Sequence, residues 1–289
     1  MTAVKVLAEQ EWQDRRDAYA VRMRKWVEPH QDRKARGEAH PVLDFLFSYY
    51  SYRPTRLLRW HPGPGVALAG DASEHLSWTG YVATPSGVTL SRDVLTEQRR
   101  TSVAFIRDLL TATQSRAPRL GCFGLHEWAM VYRSDDVRHE SWPLRLGPAG
   151  TDAVVESLPI KCGHFDAFRF FTPPARPLNT LQPTRALQIA MEQPGCLHAN
   201  MDLFKWSYKL APFTPSELVA DCFELASDVR ELDMRASPYD LRELGYAPVP
   251  IETPAGRATY ARMQAEFAER AAPLRARLID LCSQLLDGD

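Results

Sequence analysis

The chain has 289 residues, of which 45% are hydrophobic and 25% are charged, and its formal net charge is −1. This composition indicates a compact globular protein, and the near-neutral charge means that any contact with nucleic acid would need a local basic patch. The five cysteines are odd in number and widely spaced, and no segment approaches the roughly 20 apolar residues of a membrane span, so we expect reduced thiols, no membrane partner and a cytoplasmic protein.

Helical patterns dominate the chain. Residues 1–38 predict an N-terminal amphipathic helix, whereas residues 75–93 alternate apolar and polar side chains around Thr-Pro-Ser-Gly and predict a β-hairpin. Residues 159–171 are aromatic and predict an extended segment, and residues 254–287 predict a C-terminal helix. Further helices are expected at 95–114, 125–132, 198–210 and 216–234. We therefore predict a single compact domain that is mainly α with a small antiparallel β-sheet (α+β).

Polar chemistry is concentrated in residues 120–241. Three short segments there, 122–127, 162–166 and 196–202, each pair a cysteine with a histidine and an acid. Imidazoles and carboxylates rarely occur together in half-apolar segments unless they are paired, bind a metal or take part in catalysis. We predict that these segments form one polar site, and we interpret the cysteines as inert thiols because the chain has no CxxC pair.

Spacing suggests which of these side chains share a face. His198 and Asp202 lie four residues apart in a predicted helix, and His164 and Asp166 lie two apart in a predicted extended segment, so each pair projects to one side. If His126 joined His164 and His198 around one carboxylate, the set would suit zinc or non-haem iron. The alternative is that the three histidines lie apart in the core, each with its own hydrogen-bond partners.

A second segment, residues 49–63, interleaves aromatic rings with arginines. Rings such as Tyr50 and Trp60 can stack on a planar base, and Arg53, Arg56 and Arg59 can neutralise phosphates. The same residues can equally fill a core and satisfy helix ends, so both interpretations stay open. P-loop, HExxH and GxSxG motifs are absent, which excludes P-loop enzymes, zincins and α/β-hydrolases.

Six blocks of sequence together resemble an actinobacterial family that is usually identified as 3-methyladenine DNA glycosylase. They are residues 40–54, 59–63, 121–132, 164–171, 193–206 and 231–241. The resemblance implies hydrolysis of the N-glycosidic bond of an alkylated purine in damaged DNA, without a cofactor. A carboxylate would activate water or stabilise the positive sugar ring, and aromatic rings would hold the extruded base.

The same resemblance suggests which residues would carry out this reaction. Asp166 or Asp202 would be the catalytic carboxylate, with Glu127 as a further candidate. The substrate-binding candidates are Tyr50, Trp60 and Trp128 for stacking and Arg53, Arg56 and Arg59 for the phosphates.

Two other functions are compatible with the sequence. In the first, His126, His164 and His198 bind iron or zinc, with Glu127 and Asp202 as further ligands, and the protein is a helical enzyme acting on a small molecule. In the second, the aromatic pocket belongs to a non-catalytic module that binds a base or another ligand.

Overall fold

The computed structural model describes residues 4–134 and 141–287. Its helices and strands confirm a mainly α protein with a small β-sheet, and no helix within these ranges is both long and apolar enough to cross a bilayer. The elements are, in chain order, β1 (Lys5–Leu7), α1 (Glu9–Ala35), α2 (Phe45–Tyr49), α3 (Pro54–Leu57), β2 (Val66–Leu68), α4 (Ser73–Leu76), β3 (Tyr81–Thr84), β4 (Gly87–Leu90), α5 (Glu97–Gln114), α6 (Leu125–Ala129), α7 (Gly147–Ser157), α8 (Phe165–Phe168), α9 (Gln188–Met191), α10 (Leu197–Lys209), α11 (Ser216–Arg235) and α12 (Pro254–Asp287).

The chain divides into two compact units. The first comprises Met1–Arg107, Phe204–Glu224 and Ala276–Asp289, and the second comprises Asp108–Leu203 and Leu225–Arg275. All three histidines of the predicted site belong to the second unit.

The first unit contains the sheet, whose strand order is β1-β2-β4-β3. Strands β2, β4 and β3 pair antiparallel as predicted, whereas β1 pairs parallel with β2, so the sheet is mixed. The predicted hairpin at 75–93 is shorter than expected: β3 and β4 span 81–90 with a two-residue turn, and residues 73–76 form α4 instead. The turn is tight because Gly87 has a φ of 119°, which allows it to pair directly with Thr84.

The predicted N-terminal helix is present as α1, after the short strand β1. Its buried side chains recur at helical spacing, as expected of an amphipathic helix: Trp12, Tyr19, Met23, Val27 and His30. The polar tips of two of them are satisfied, because the Trp12 indole donates to the Ala69 carbonyl at 2.9 Å and the Tyr19 hydroxyl donates to the Leu57 carbonyl at 2.6 Å.

The second unit differs from the sequence-based expectation in one element that bears on function. The segment 159–171 is not extended throughout, because Phe165–Phe168 forms the helical turn α8. His164 directly precedes this turn and Asp166 lies inside it, so their side chains do not share a strand face. By contrast, all five residues of α6 are buried, including His126 and Glu127. Burying these polar groups requires partners for them.

Candidate functional site

The three histidines of the predicted site lie against one cavity in the second unit. The cavity has a volume of about 130 Å³, and His126, His164 and His198 all line it. The His126 and His198 ring centroids are 4.5 Å apart, and those of His164 and His198 are 5.2 Å apart. Histidines 72 residues apart in the chain therefore meet around a shared hollow.

Different elements supply the cavity wall. Helix α6 presents His126, and the residue before α8 presents His164. The end of α9 leads to Glu192, and the first turn of α10 carries His198. Because α10 is helical from Leu197 to Lys209, His198 and Asp202 share one of its faces, as their spacing predicted.

Two networks of buried side chains contact these histidines. In the first, His126 Nε2 lies 2.8 Å from Asp233 Oδ1, and Arg230 Nη1 contacts both Asp233 Oδ2 at 3.2 Å and Glu127 Oε1 at 2.9 Å. All four side chains are at least nine-tenths buried. We call this set the His126–Asp233 network.

The charges of the His126–Asp233 network follow from its geometry. Burial alone would lower the pKa of His126, but attraction to Asp233 outweighs it and holds that pKa well above its ordinary value. The pKa of Asp233 is correspondingly low, because the attraction of His126 and Arg230 exceeds the cost of burial. Burial and the neighbouring His126 lower the pKa of His198 well below its ordinary value, so His198 is neutral.

The second network places one imidazole between two acids. His164 Nε2 lies 3.5 Å from Glu192 Oε1 and 3.4 Å from Asp202 Oδ2, and all three side chains are almost completely buried. Glu192 Oε1 also accepts a hydrogen bond of 2.6 Å from Gln188 Nε2. We call His164, Glu192 and Asp202 the metal-capable group, because one ligand atom from each lies within 4.8 Å of the others.

The two networks are not equally suited to a metal ion. His126, His198 and Asp233 also bring their ligand atoms within 4.8 Å of one another. However, one Asp233 oxygen contacts the His126 ring and the other contacts the Arg230 guanidinium, which stays charged at any ordinary pH. A divalent ion there would lie beside a fixed positive charge. The metal-capable group offers a cation two carboxylates where the other set offers one, which makes it the better site, although Glu192 also interacts electrostatically with the buried Arg275.

The mouth of the cavity is basic. Arg119 and Lys161 line it and are exposed. Within residues 4–134 and 141–287, neither side chain forms an ion pair or a hydrogen bond. The Arg119 backbone is held by Gln193, whose Oε1 accepts from the Arg119 amide at 2.8 Å. These two positive charges favour the entry of an anion.

One wall of the cavity carries polar atoms without partners. Tyr260 and Gln264 lie four apart on α12, both line the cavity, and both are fully buried. Gln264 Nε2 donates to the Gly195 carbonyl at 2.5 Å, but Gln264 Oε1 and the Tyr260 hydroxyl have no hydrogen-bond partner in the described part of the chain. Burial raises the pKa of Tyr260 well above its ordinary value, so the hydroxyl keeps its proton and is a donor available to a ligand.

The unpartnered hydroxyl of Tyr260 leads to a testable prediction about the stability of the protein. We expect Tyr260→Phe to change the free energy of unfolding by less than about 0.5 kcal/mol, because no hydrogen bond is lost. Tyr19→Phe is the matched control, since the buried Tyr19 hydroxyl donates to a carbonyl, and it should cost about 1 kcal/mol. Urea denaturation of the two variants measures the difference, and an equal loss in both would mean that the Tyr260 hydroxyl has a structural partner.

Several predicted site residues lie away from the cavity. Asp166 is buried but does not line it, and its Oδ1 lies 3.6 Å from Arg169 and 3.7 Å from Arg185. Trp128 is buried in α6 and donates its indole hydrogen to the Ala236 carbonyl at 2.8 Å, which is a core role.

The aromatic and arginine segment belongs to the first unit. Tyr50 and Trp60 are buried there, and neither belongs to the cavity lining. The three arginines of the segment, Arg53, Arg56 and Arg59, are exposed.

Other residues of the cavity escaped the sequence analysis. Glu192 and Tyr260 line the cavity, and Asp233 contacts His126 from behind it; Glu192 is 28 positions from His164 and Asp233 is 107 from His126, so local spacing gives no signal for them. Arg230 and Asp233 do share a helix face at a spacing of three, which was the one available clue.

The cysteines of all three predicted segments reach the same cavity. Cys122, Cys162 and Cys196 line it, and burial raises the pKa of the last two thiols well above the ordinary range. Cys122 Sγ lies 3.9 Å from His126 Nδ1, whereas the Cys162 thiol donates to the His164 carbonyl at 3.7 Å.

No family model, no curated protein and no solved structure matches this chain. The function is therefore inferred from the cavity itself.

Proposed function

We propose that the protein is a metal-dependent enzyme. It binds one divalent transition metal ion through His164, Glu192 and Asp202, and it acts on a small anionic molecule in the adjoining cavity. The observation that carries this proposal is the position of a buried imidazole between two buried carboxylates beside a cavity of about 130 Å³.

The charge of the metal-capable group supports a cation. Two carboxylates lie within 3.5 Å of one imidazole, and all three side chains are removed from water. Carboxylate oxygens and an imidazole nitrogen are ligands for a divalent ion, which would also offset the charge of the two acids. One nitrogen and two oxygen donors suit Fe²⁺, Mn²⁺ or Zn²⁺ and leave coordination positions for water or substrate. A metal in such a site polarises a bound oxygen or lowers the pKa of a bound water.

The substrate class follows from the rest of the cavity. Arg119 and Lys161 at the mouth attract a carboxylate or a phosphate, while Tyr260 and Gln264 offer one donor and one acceptor deeper inside. A ligand that satisfies all four would be an anion that also carries a hydroxyl or an amine. The small volume favours a metabolite over a polymer.

Metal analysis tests the proposal. We expect about one equivalent of iron, manganese or zinc per chain in protein purified without chelators, and a higher melting temperature when the stripped protein is reloaded with that metal. Stripped protein whose melting temperature responds to none of the three ions, and purified protein that contains none of them, would contradict the proposal.

Hydrolysis of the N-glycosidic bond of an alkylated purine in damaged DNA is a second candidate function. It is favoured by the combination of Arg119 and Lys161 at the mouth with the carboxylate of Glu192 inside, which would place a phosphate outside and a glycosidic bond within. Release of 3-methyladenine from alkylated duplex DNA by chelator-treated protein, abolished by Asp202→Asn, would support this function and contradict a metal requirement. Absence of base release under all conditions would contradict this second candidate function.

A further inference from the structure

We propose that Cys122 is a catalytic nucleophile that takes an acyl group from a small anionic ester or thioester, with His126 as its base and the Tyr260 hydroxyl as the donor to the oxyanion. This inference concerns the His126–Asp233 network. It does not depend on a metal at His164, and it assigns chemistry to a network that the proposed function leaves unused.

The first support is the order of contacts through the imidazole. Cys122 Sγ lies 3.9 Å from His126 Nδ1, and on the opposite side of the ring His126 Nε2 lies 2.8 Å from Asp233 Oδ1. A nucleophile, a base and a carboxylate that orients the base are the three parts of a cysteine triad, recognised by geometry and not by order in the sequence. A contact of 3.9 Å is loose, as such contacts often are without substrate.

The second support is how firmly the base is held. Asp233 is fully buried, and Arg230 fixes its other oxygen at 3.2 Å. With Asp233 accepting from Nε2–H and keeping the ring protonated, Nδ1–H faces Cys122 Sγ. The orientation needed to hold a proton beside the sulfur, and to give it to a leaving group, is therefore built into the core.

The third support is the backbone that carries Cys122. Phe123 and Gly124 have φ angles of 49° and 70°, and the Leu125 amide donates to the Cys122 carbonyl at 3.1 Å. A bulky residue rarely adopts a positive φ, and such conformations are concentrated at functional sites. This turn places Cys122 on the cavity wall, where it is partly exposed.

The fourth support is the buried hydroxyl opposite this turn. A Cβ at position 124 would lie 3.5 Å from the Tyr260 hydroxyl oxygen, an ordinary contact distance, so the hydroxyl lies beside the segment that carries Cys122. The hydroxyl is fully buried, lines the cavity and has no hydrogen-bond partner within the described ranges. A donor fixed in this way can stabilise the negative oxygen of a tetrahedral intermediate.

The reaction that follows is acyl transfer to water. The proton of Cys122 lies on His126 when sulfur attacks the carbonyl carbon; a C–S bond forms, and the carbonyl oxygen becomes an oxyanion that accepts from Tyr260. The C–O or C–S bond to the leaving group then breaks, and His126 returns the proton to that alkoxide or thiolate. Water, with His126 again as base, cleaves the acyl-cysteine to the free acid. No oxidant or reductant is required.

Alkylation tests the nucleophile, with internal controls in the same cavity. The unmodified protein is treated with iodoacetamide at neutral pH, and each cysteine-containing peptide is followed by mass spectrometry. We expect Cys122 to react at least about 10-fold faster than Cys162 and Cys196, which line the same cavity and whose thiol pKa values are raised by burial. Rates for Cys122 that match those of the other two would overturn the proposal, and this comparison needs no variant.

Acylation tests the base and the hydroxyl. With p-nitrophenyl acetate as the probe, we expect a rapid release of about one p-nitrophenolate per chain and an acetyl group on the Cys122 peptide. Cys122→Ser should abolish the burst and His126→Gln should slow it at least about 10-fold, a loss typical of a missing general base. Tyr260→Phe should slow acylation about 100-fold and leave the alkylation rate of Cys122 unchanged, because alkylation forms no oxyanion.

The outcomes separate a catalytic role from a structural one. Absence of acetyl-Cys122 in the unmodified protein would overturn the proposal. Equal slowing of alkylation and acylation in Tyr260→Phe would assign the hydroxyl to structure and overturn its role as donor. Both readouts are made on chelator-treated protein, so failure of the metal proposal leaves them interpretable.

Discussion

Replacing Arg230 with methionine should lower the free energy of unfolding by about 3–5 kcal/mol, because it leaves two buried carboxylates without their shared cation. Arg230 is 1% exposed and contacts Glu127 at 2.9 Å and Asp233 at 3.2 Å. Methionine fills much of the volume of arginine, so the loss is that of charge compensation. Chemical denaturation followed by circular dichroism gives the measurement.

A surface arginine of the same unit is the matched control. Arg270 contacts Asp228 with both side chains about half exposed, so Arg270→Met should cost no more than about 1 kcal/mol. Adding Glu127→Gln to Arg230→Met should restore part of the stability, since one uncompensated charge is removed. Equal losses for Arg230→Met and Arg270→Met would show that the buried carboxylates do not depend on Arg230.

The second large effect concerns metal-dependent stability. In the presence of a metal ion at 100 times its dissociation constant, we expect the unfolding free energy of the unmodified protein to rise by about 2.7 kcal/mol. Glu192→Gln keeps the shape of the side chain but removes a charged ligand, so this increment should fall to near zero. Denaturation with and without the ion, performed on both proteins, measures the increment directly.

An acid outside the cavity provides the control for this substitution. Glu266 lies exposed on α12 and does not line the cavity, so Glu266→Gln should retain the full increment. A Glu192→Gln protein that is stabilised by the metal as strongly as the unmodified chain would exclude Glu192 as a ligand.

Sequence patterns were sufficient where a feature depends on neighbours along the chain. The spacing of His198 and Asp202 fixes their shared face once α10 is recognised, and the C-terminal helix was predicted with the bounds that the structure has. The mainly α fold class followed from the same periodicity. Such features need no knowledge of tertiary contacts.

The other features of the fold and of the candidate site depend on contacts between residues that are distant in the sequence. His126 and Asp233 are separated by 107 positions, so no local pattern links base and carboxylate. Strand β1 has only three residues, too few for an alternating pattern, and it is defined by its pairing with β2 some 60 residues later. Asp166 was predicted to lie beside His164 because a spacing of two residues puts both on one strand face. In the structure it lies in the helical turn α8 instead.

The three cysteines of the cavity also differ in ways that depend on tertiary contacts. As a residue type, cysteine is most often buried and inert, and the sequence alone gave no reason to separate Cys122 from Cys162 and Cys196. The distinction comes from one imidazole nitrogen at 3.9 Å and from the carboxylate behind it.

Anomalous X-ray diffraction from crystals grown with manganese, iron or zinc tests the central claim most directly. We expect one strong anomalous peak at about 2.0–2.3 Å from a nitrogen of His164 and from carboxylate oxygens of Glu192 and Asp202. A metal-soaked crystal with no peak between these three side chains, or with its peak at His126 and Asp233 instead, would contradict the account.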